Sequence, residues 1–348
     1  MKKILLGSTA LVGAVALAGQ AYAFDLTLGG FQEFHVDFAE DNNLAPPSDR
    51  GYAFGTDTEV IVRGQDETDG GLTYGFKIEL EADQTNTVNA DEAGMFFSGG
   101  FGRIELGADD GADDNMSLGT KSIAAGTGGA DGDQPGAGSF AVPKIEDTSD
   151  AVKITYFSPR IAGFQVGASF TPDSGDDGGF NFSGDDNGDL ENHIGVGANY
   201  VQEFGGFDIG LAAVGGFADV EGTPDDDDDE DIDLDPTDGD FVSYSFTGTL
   251  GFGNFAIAGG YLFDDVEDVE RTVIDAGVAF GFGPANVSFV YQNNDDDGIE
   301  FDDTANVYIG SADYGILPGV ALQTDIQYTD PDNLEDFWSG IFQVAMSF

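Results

Sequence analysis

From Phe24 to the C-terminus, stretch after stretch of this chain alternates apolar and polar side chains one by one. A period of two puts neighbouring side chains on opposite faces of an extended strand, so each stretch has one apolar and one polar face. In the first, Leu26, Leu28, Phe34, Val36 and Phe38 share one face, and Asp25, Thr27, Glu33, His35 and Asp37 share the other. The third sets Tyr74, Phe76, Ile78 and Leu80 against Thr73, Lys77, Glu79 and Glu81. The pattern persists through Ile194, Val196, Ala198 and Tyr200, and it ends with Trp338, Phe342, Val344, Met346 and Phe348. About 16 such stretches are present, each near the roughly 9 to 11 residues with which a tilted strand crosses a bilayer. An even number of antiparallel strands closes into a ring with both termini on one side.

Alternating strands also build sandwiches and propellers, and the connections decide between these folds. Here they alternate in length. Glu203 to Phe207, Gly251 to Asn254, Gly281 to Ala285 and Leu317 to Gly319 are tight. Asp41 to Arg50, Asp173 to Glu191, Asp219 to Asp240, Asp264 to Glu270, Asn293 to Asp303 and Asp330 to Asp336 are longer and acidic. Short turns at one end and long loops at the other are the layout of an outer-membrane barrel. The polar faces carry charges that a dry core would not hold. The expected fold is therefore all-β, a 16-stranded antiparallel transmembrane β-barrel.

Lys2 and Lys3, the apolar run Ile4 to Ala18 and the small-x-small site Ala21-Tyr22-Ala23 read as a secretory signal peptide over residues 1–23. The barrel domain then spans 24–348. Beyond the leader no apolar run approaches the roughly 18 residues of a membrane helix, so an exported chain of this kind enters a membrane only as a closed barrel.

One stretch, Asp109 to Asp150, shows neither period. A loop of this length inside a compact protein is usually functional or disordered. Its Gly, Asp and Ser content would suit a solvated excursion. Met116, Leu118, Ile123, Phe140, Val142 and Ile145 argue instead for a loop packed inside something.

The charge balance limits partners. With 66 acidic and 11 basic residues the net charge is −55, which repels nucleic acid and draws cations. Cysteine is absent, so disulfide and thiol chemistry are excluded. The chain holds two histidines, His35 and His193, and no serine in a nucleophile context, so no enzyme is expected. Within the acidic run Asp225 to Asp240, Asp227, Asp229 and Asp231 are spaced like calcium ligands, but Ile232 stands where the loop glycine of an EF-hand belongs. Asp185 to Asp189 is an equally loose candidate. No cofactor is expected beyond loosely held calcium. The alternative reading is a secreted or surface calcium-binding β-rich adhesin or structural protein, disfavoured by the terminal Phe348 and the lack of tandem repeats.

The stretches TDGGLTYGFKIELEAD (Thr68 to Asp83), FFSGGFGRIELG (Phe96 to Gly107) and VKITYFSPRIAGFQVGASF (Val152 to Phe170) resemble Gram-negative general porins, especially the alphaproteobacterial, Rhodobacter-like branch. Phe348 resembles the terminal aromatic signature of outer-membrane proteins. The resemblance implies a homotrimer in the outer membrane, in contact with lipid and lipopolysaccharide, serving as a passive channel for small hydrophilic solutes and ions. It also implies that the third external loop, here Asp109 to Asp150, folds inward and narrows the lumen. In the family, acids on this loop face a basic cluster on the wall. Here the acids are Asp109, Asp110, Asp113, Asp114, Asp131 and Asp133. Parity puts Arg63, Lys77, Arg103 and Lys153 on the polar face as the opposing wall. The acid excess further leads to an expectation of cation preference.

Overall fold

The computed structural model describes residues 24–40, 51–82, 90–127, 148–175, 190–220, 239–266, 269–297, 302–332 and 335–348. The leader, Asp131, Asp133, Asp185 to Asp189, and Asp227, Asp229 and Asp231 lie outside them. The first eight strands are β1 (Asp25–Ala39), β2 (Tyr52–Glu67), β3 (Thr73–Glu81), β4 (Ala90–Gly99), β5 (Gly102–Ala108), β6 (Val152–Phe157), β7 (Phe164–Asp173) and β8 (Leu190–Phe204). The remaining eight are β9 (Phe207–Val220), β10 (Gly239–Phe252), β11 (Phe255–Val266), β12 (Val269–Phe282), β13 (Ala285–Asp297), β14 (Asp302–Leu317), β15 (Val320–Pro331) and β16 (Phe337–Ser347). Each pairs antiparallel with its sequence neighbours, and β1 pairs with β16 to close the barrel. The closure extends to the last residue. Gly30 N–H donates to the Phe348 carbonyl at 3.1 Å, and Phe348 N–H donates to the Gly30 carbonyl at 3.0 Å.

The outer face is apolar. Ile257 of β11 and Val278 of β12 are cross-strand neighbours, 51% and 53% exposed. Aromatic rings gather in two belts. Phe207, Phe252, Phe255, Phe280 and Phe282 form a chain of ring contacts at the short-turn end, with centroids 4.6–6.1 Å apart. Tyr291, Tyr308, Tyr328 and Trp338 form another towards the long loops, at 4.9–6.1 Å. On β10, Phe252 and Tyr244 belong to the two ends and lie eight residues apart along the strand. At about 3.3 Å per residue and a tilt near 40°, that is roughly 20 Å along the barrel axis, close to the apolar band of an outer membrane.

Strand lengths depart from the expected 9 to 11 residues, running from 6 in β6 to 16 in β2 and β14. Stretches expected to be acidic loops continue the ladder instead, with Asp264 opposite Arg271, Asp265 opposite Glu270 and Asp296 opposite Asp303. Past the apolar band both faces of the wall meet water, so acidic residues can remain in strand. The opposite departure is at β5 and β6, with 7 and 6 residues. They run only about 20 Å along the strand, where a 14-residue strand runs about 45 Å. The loop between them therefore leaves the wall partway up the barrel and starts inside the lumen.

Facing can be tested by comparing one outward and one inward position of the barrel. Val278→Arg on the lipid face should cost about 2–4 kcal/mol, while Thr27→Arg on the water-lined face should cost less than about 1 kcal/mol. Urea titration of the folded barrel in lipid, followed by electrophoretic mobility, measures both, and equal costs would refute the assignment.

Candidate functional site

The described half of the loop runs along the inner wall as a belt. A short helix, α1 (Ala112–Asn115), lies against β7, β8 and β9. Ala112 N–H donates to Ser169 Oγ at 3.1 Å, and Asn199 Nδ2 donates to the Met116 carbonyl at 3.2 Å. Leu118 N–H then donates to Thr247 Oγ1 of β10 at 3.3 Å. A single 3₁₀ turn, Thr120–Ser122, follows, where the Thr120 hydroxyl donates to the Asp275 carboxylate of β12. Ala125 N–H donates to Ser288 Oγ of β13 at 2.9 Å, and Thr127 N–H to Asp325 Oδ2 of β15 at 2.7 Å. The belt thus spans the wall from β5 to β15 and leaves β16 and β1 to β4 facing it across the lumen.

Two small apolar clusters seat it. Met116 packs with Val214, Leu262 and Val273, and Ala124 packs against Val290, Val307 and Ile309. The wall is also cut away beneath α1. A Cβ on Gly197 would come within 2.8 Å of Met116 Cβ and the Ala112 carbonyl, so only glycine leaves room there. The inward apolar residues of the wall escaped the sequence reading. Their signal was visible as breaks in alternation, where apolar neighbours stand side by side in Leu262-Phe263, Val273-Ile274, Val290-Tyr291 and Val307-Tyr308-Ile309.

Arg63, Lys77, Arg103 and Lys153 line one recess of about 390 Å³ together with Asp109 and Asn115. Their partners differ from the expected arrangement of acids across the lumen. Arg63 Nη2 donates to Glu79 Oε1 at 3.1 Å. Lys77 sits among Glu79 at 3.6 Å, Glu92, and Asp109 at 3.4 Å. Arg103 pairs with Glu105 and lies 3.8 Å from the centre of the Phe96 ring. Lys153 is 2% exposed and donates to the carbonyls of Asp109 and Ser149, tying the two feet of the loop together. At one of these feet, burial, and then the Asp91 carboxylate, push the Asp150 carboxyl above its ordinary value.

The loop acids are likewise distributed. Asp109 and Asp110 stand with Glu92 as a group whose carboxylate oxygens lie within 4.8 Å of one another, with the Lys77 ammonium between Glu92 and Asp109. Asp114 is held by Lys121 of the loop itself at 2.9 Å. Asp113 is fully buried against β7 and β8 and does not face the pore. The correction has a simple cause. The loop springs from β5, beside β3, β4 and β6, so its first acids are neighbours of the basic residues rather than their opposites.

A closed, water-lined barrel with an apolar girdle, two aromatic belts and a loop drawn into its lumen is a transmembrane channel of the outer membrane. The chain belongs to the Gram-negative porin family, whose model matches residues 7–334. A comparison with curated proteins gives no match. Among solved structures, the anion-selective porin from Comamonas acidovorans is 16% identical with a TM-score of 0.68, covering 93% of this chain and 100% of that one. A trimer form of OmpT, an outer-membrane protein of Vibrio cholerae folded in vitro, is 13% identical with a TM-score of 0.61, covering 93% and 99%. A double mutant of Rh. blastica porin is 16% identical with a TM-score of 0.59, covering 93% and 100%. At these identities the likeness is one of fold. The family and fold are those of diffusion channels rather than enzymes.

Met116→Ala should weaken the loop seat by about 2–5 kcal/mol, because it empties a buried position that the wall glycines do not refill. Hydrogen exchange of the amides from Ala112 to Ala125 should accelerate accordingly while the barrel strands stay protected, and unchanged loop protection would show that the cluster does not hold the loop. Lys153→Met should loosen both loop feet by about 1–3 kcal/mol, since two inward carbonyls lose their donor. The same exchange measurement, read at Asp109 and Asp150, checks it.

Proposed function

We propose that this porin is a cation-preferring homotrimeric channel for small hydrophilic solutes, in contact with outer-membrane lipid and lipopolysaccharide. The observation that carries the preference is the matching of three of the four basic residues in the recess by carboxylates, the fourth, Lys153, being held by the carbonyls at the loop feet. Arg63, Lys77 and Arg103 meet Glu79, Glu92, Asp109 and Glu105, so the wall presents no net positive field. Glu33, Asp57, Glu59 and Glu81 stand on the lumen side of β1, β2 and β3, towards the long loops. A lumen with this balance enriches cations at its mouth and along its wall. The Comamonas relative is anion-selective, so the shared fold leaves selectivity to the side chains. The trimer form of the Vibrio protein supports the homotrimer.

In this reading Arg63, Lys77, Arg103 and Lys153 serve as charge compensation at the narrow region, with Asp109, Asp110 and Asp114 on its loop side. Calcium bound weakly through Asp227, Asp229 and Asp231 would bridge neighbouring lipopolysaccharide or subunits.

The test is the zero-current potential of single channels in a dilute salt gradient, where a sign indicating anion preference would sink the proposal. A unit charge about 8 Å from the ion path is worth roughly 0.5 kcal/mol in water, or about a twofold change in local cation concentration. Arg63→Ala and Arg103→Ala, which unmask Glu79 and Glu105, should each raise the cation to anion permeability ratio by roughly that factor in dilute electrolyte, fading near molar salt.

A further inference from the structure

One buried pair of titratable groups joins the loop to the wall and is not used by the charge matching above. His193 of β8 is 1% exposed, and its Nε2 lies 3.6 Å from Oδ2 of Asp113 on α1. The Ser169 hydroxyl donates to the other oxygen of Asp113 at 3.4 Å. The ring is fixed from three strands. Thr171 of β7 is its ladder partner, Phe241 of β10 lies 5.9 Å away between ring centres, and Gly216 of β9 leaves space that a Cβ would fill 2.6 Å from Nε2. A break in register between Glu191 and Ile194, with Asn192 at φ 53°, sits directly before the histidine.

We propose that His193 is a positioning residue for the pore. When protonated it holds Asp113, and through it α1 and the constricting loop, against the β7 to β9 wall. The acids at the long-loop end of the elements around the ring are Asp173 of β7, Glu191 of β8, Asp219 of β9 and Asp240 of β10, with Asp113 and Asp114 on α1. Lys121, the loop cation nearby, is held on Asp114 at 2.9 Å. The surroundings therefore match a charged imidazole. When the ring becomes neutral, the buried Asp113 carboxylate loses the positive charge beside it, and its place against the wall becomes less favourable than one nearer the water of the lumen. The sign follows. The pair is intact at the acid side of the imidazole range and lost at the alkaline side, between about pH 5 and 8. Release moves α1 from the wall into the lumen, so the pore narrows and its current becomes noisier as pH rises.

The test is single-channel recording of the mature protein in planar bilayers at molar salt, where screening removes the effect of pH on ion attraction. Between pH 5.5 and 8.5 the open-channel current should fall in one step and its noise should rise. His193→Gln and Asp113→Asn should abolish the step, since neither forms the charged pair. His193→Lys should hold the quiet, high-conductance state across the whole range. His35→Gln is the control, because His35 lies 3.4 Å from Asp37 on β1, away from the loop seat, and its loss should leave the step in place. If His193→Gln yields no channels, Asp113→Asn, a one-atom change on the loop side, decides the matter. A flat wild-type profile, or a step that survives in His193→Gln or Asp113→Asn, would overturn the proposal.

Discussion

The constraint on which everything else rests is that a backbone amide facing hydrocarbon has no water to bond. Each strand must find partners on both sides, and the only sheet that does so throughout is a closed one. The closing contact between β1 and β16, carried to Phe348 at the last residue, completes that ring. Closure fixes the side chains as well, because a ring of strands has an inside and an outside, and a period of two sends alternate residues to each. The apolar girdle and the water-lined lumen are two halves of one requirement.

The interior of such a ring would be an unobstructed tube. What shapes it is a local failure of length. β5 and β6 stop short, so the chain between them is delivered into the lumen instead of above the rim. A segment entering a wide aqueous space needs a reason to stay in one place. Here the reason is distributed over the wall from β7 to β15, as hydrogen bonds from loop amides and hydroxyls to Ser169, Thr247, Asp275, Ser288 and Asp325, with small apolar clusters around Met116 and Ala124. Each contact is modest. Their spacing along the whole belt is what orders it.

The sequence is informative where one physical rule acts alone and less so where two compete. Lipid acts alone on the outer face, and the outward residues from Leu26 to Phe348 could be read from alternation. The loop was legible as an interruption, and its apolar residues Met116, Leu118 and Ile123 marked it as packed. On the inner face, water and the loop compete. Leu262, Val273, Val290 and Ile309 are apolar because the loop covers them, yet in the sequence they look like lapses in the pattern. The pairing of Lys77 with Asp109 at the loop foot depends on where the loop root falls. No period in the sequence encodes that position.

The same competition explains the basic residues. In a chain with so large an acid excess, a cation set to face solute would be drawn by the nearest carboxylate before any ion arrived. Arg63, Lys77 and Arg103 are each within reach of an acid on their own or an adjacent strand, and Lys153 is spent on the two feet of the loop. A strong transverse field requires separated charges of both signs, and this wall brings them together. What remains for a passing ion is the uncompensated remainder, which is negative. In the proposed reading, ion preference comes from the surplus of carboxylates, and pore width from how firmly the loop is held to the wall from β7 to β15.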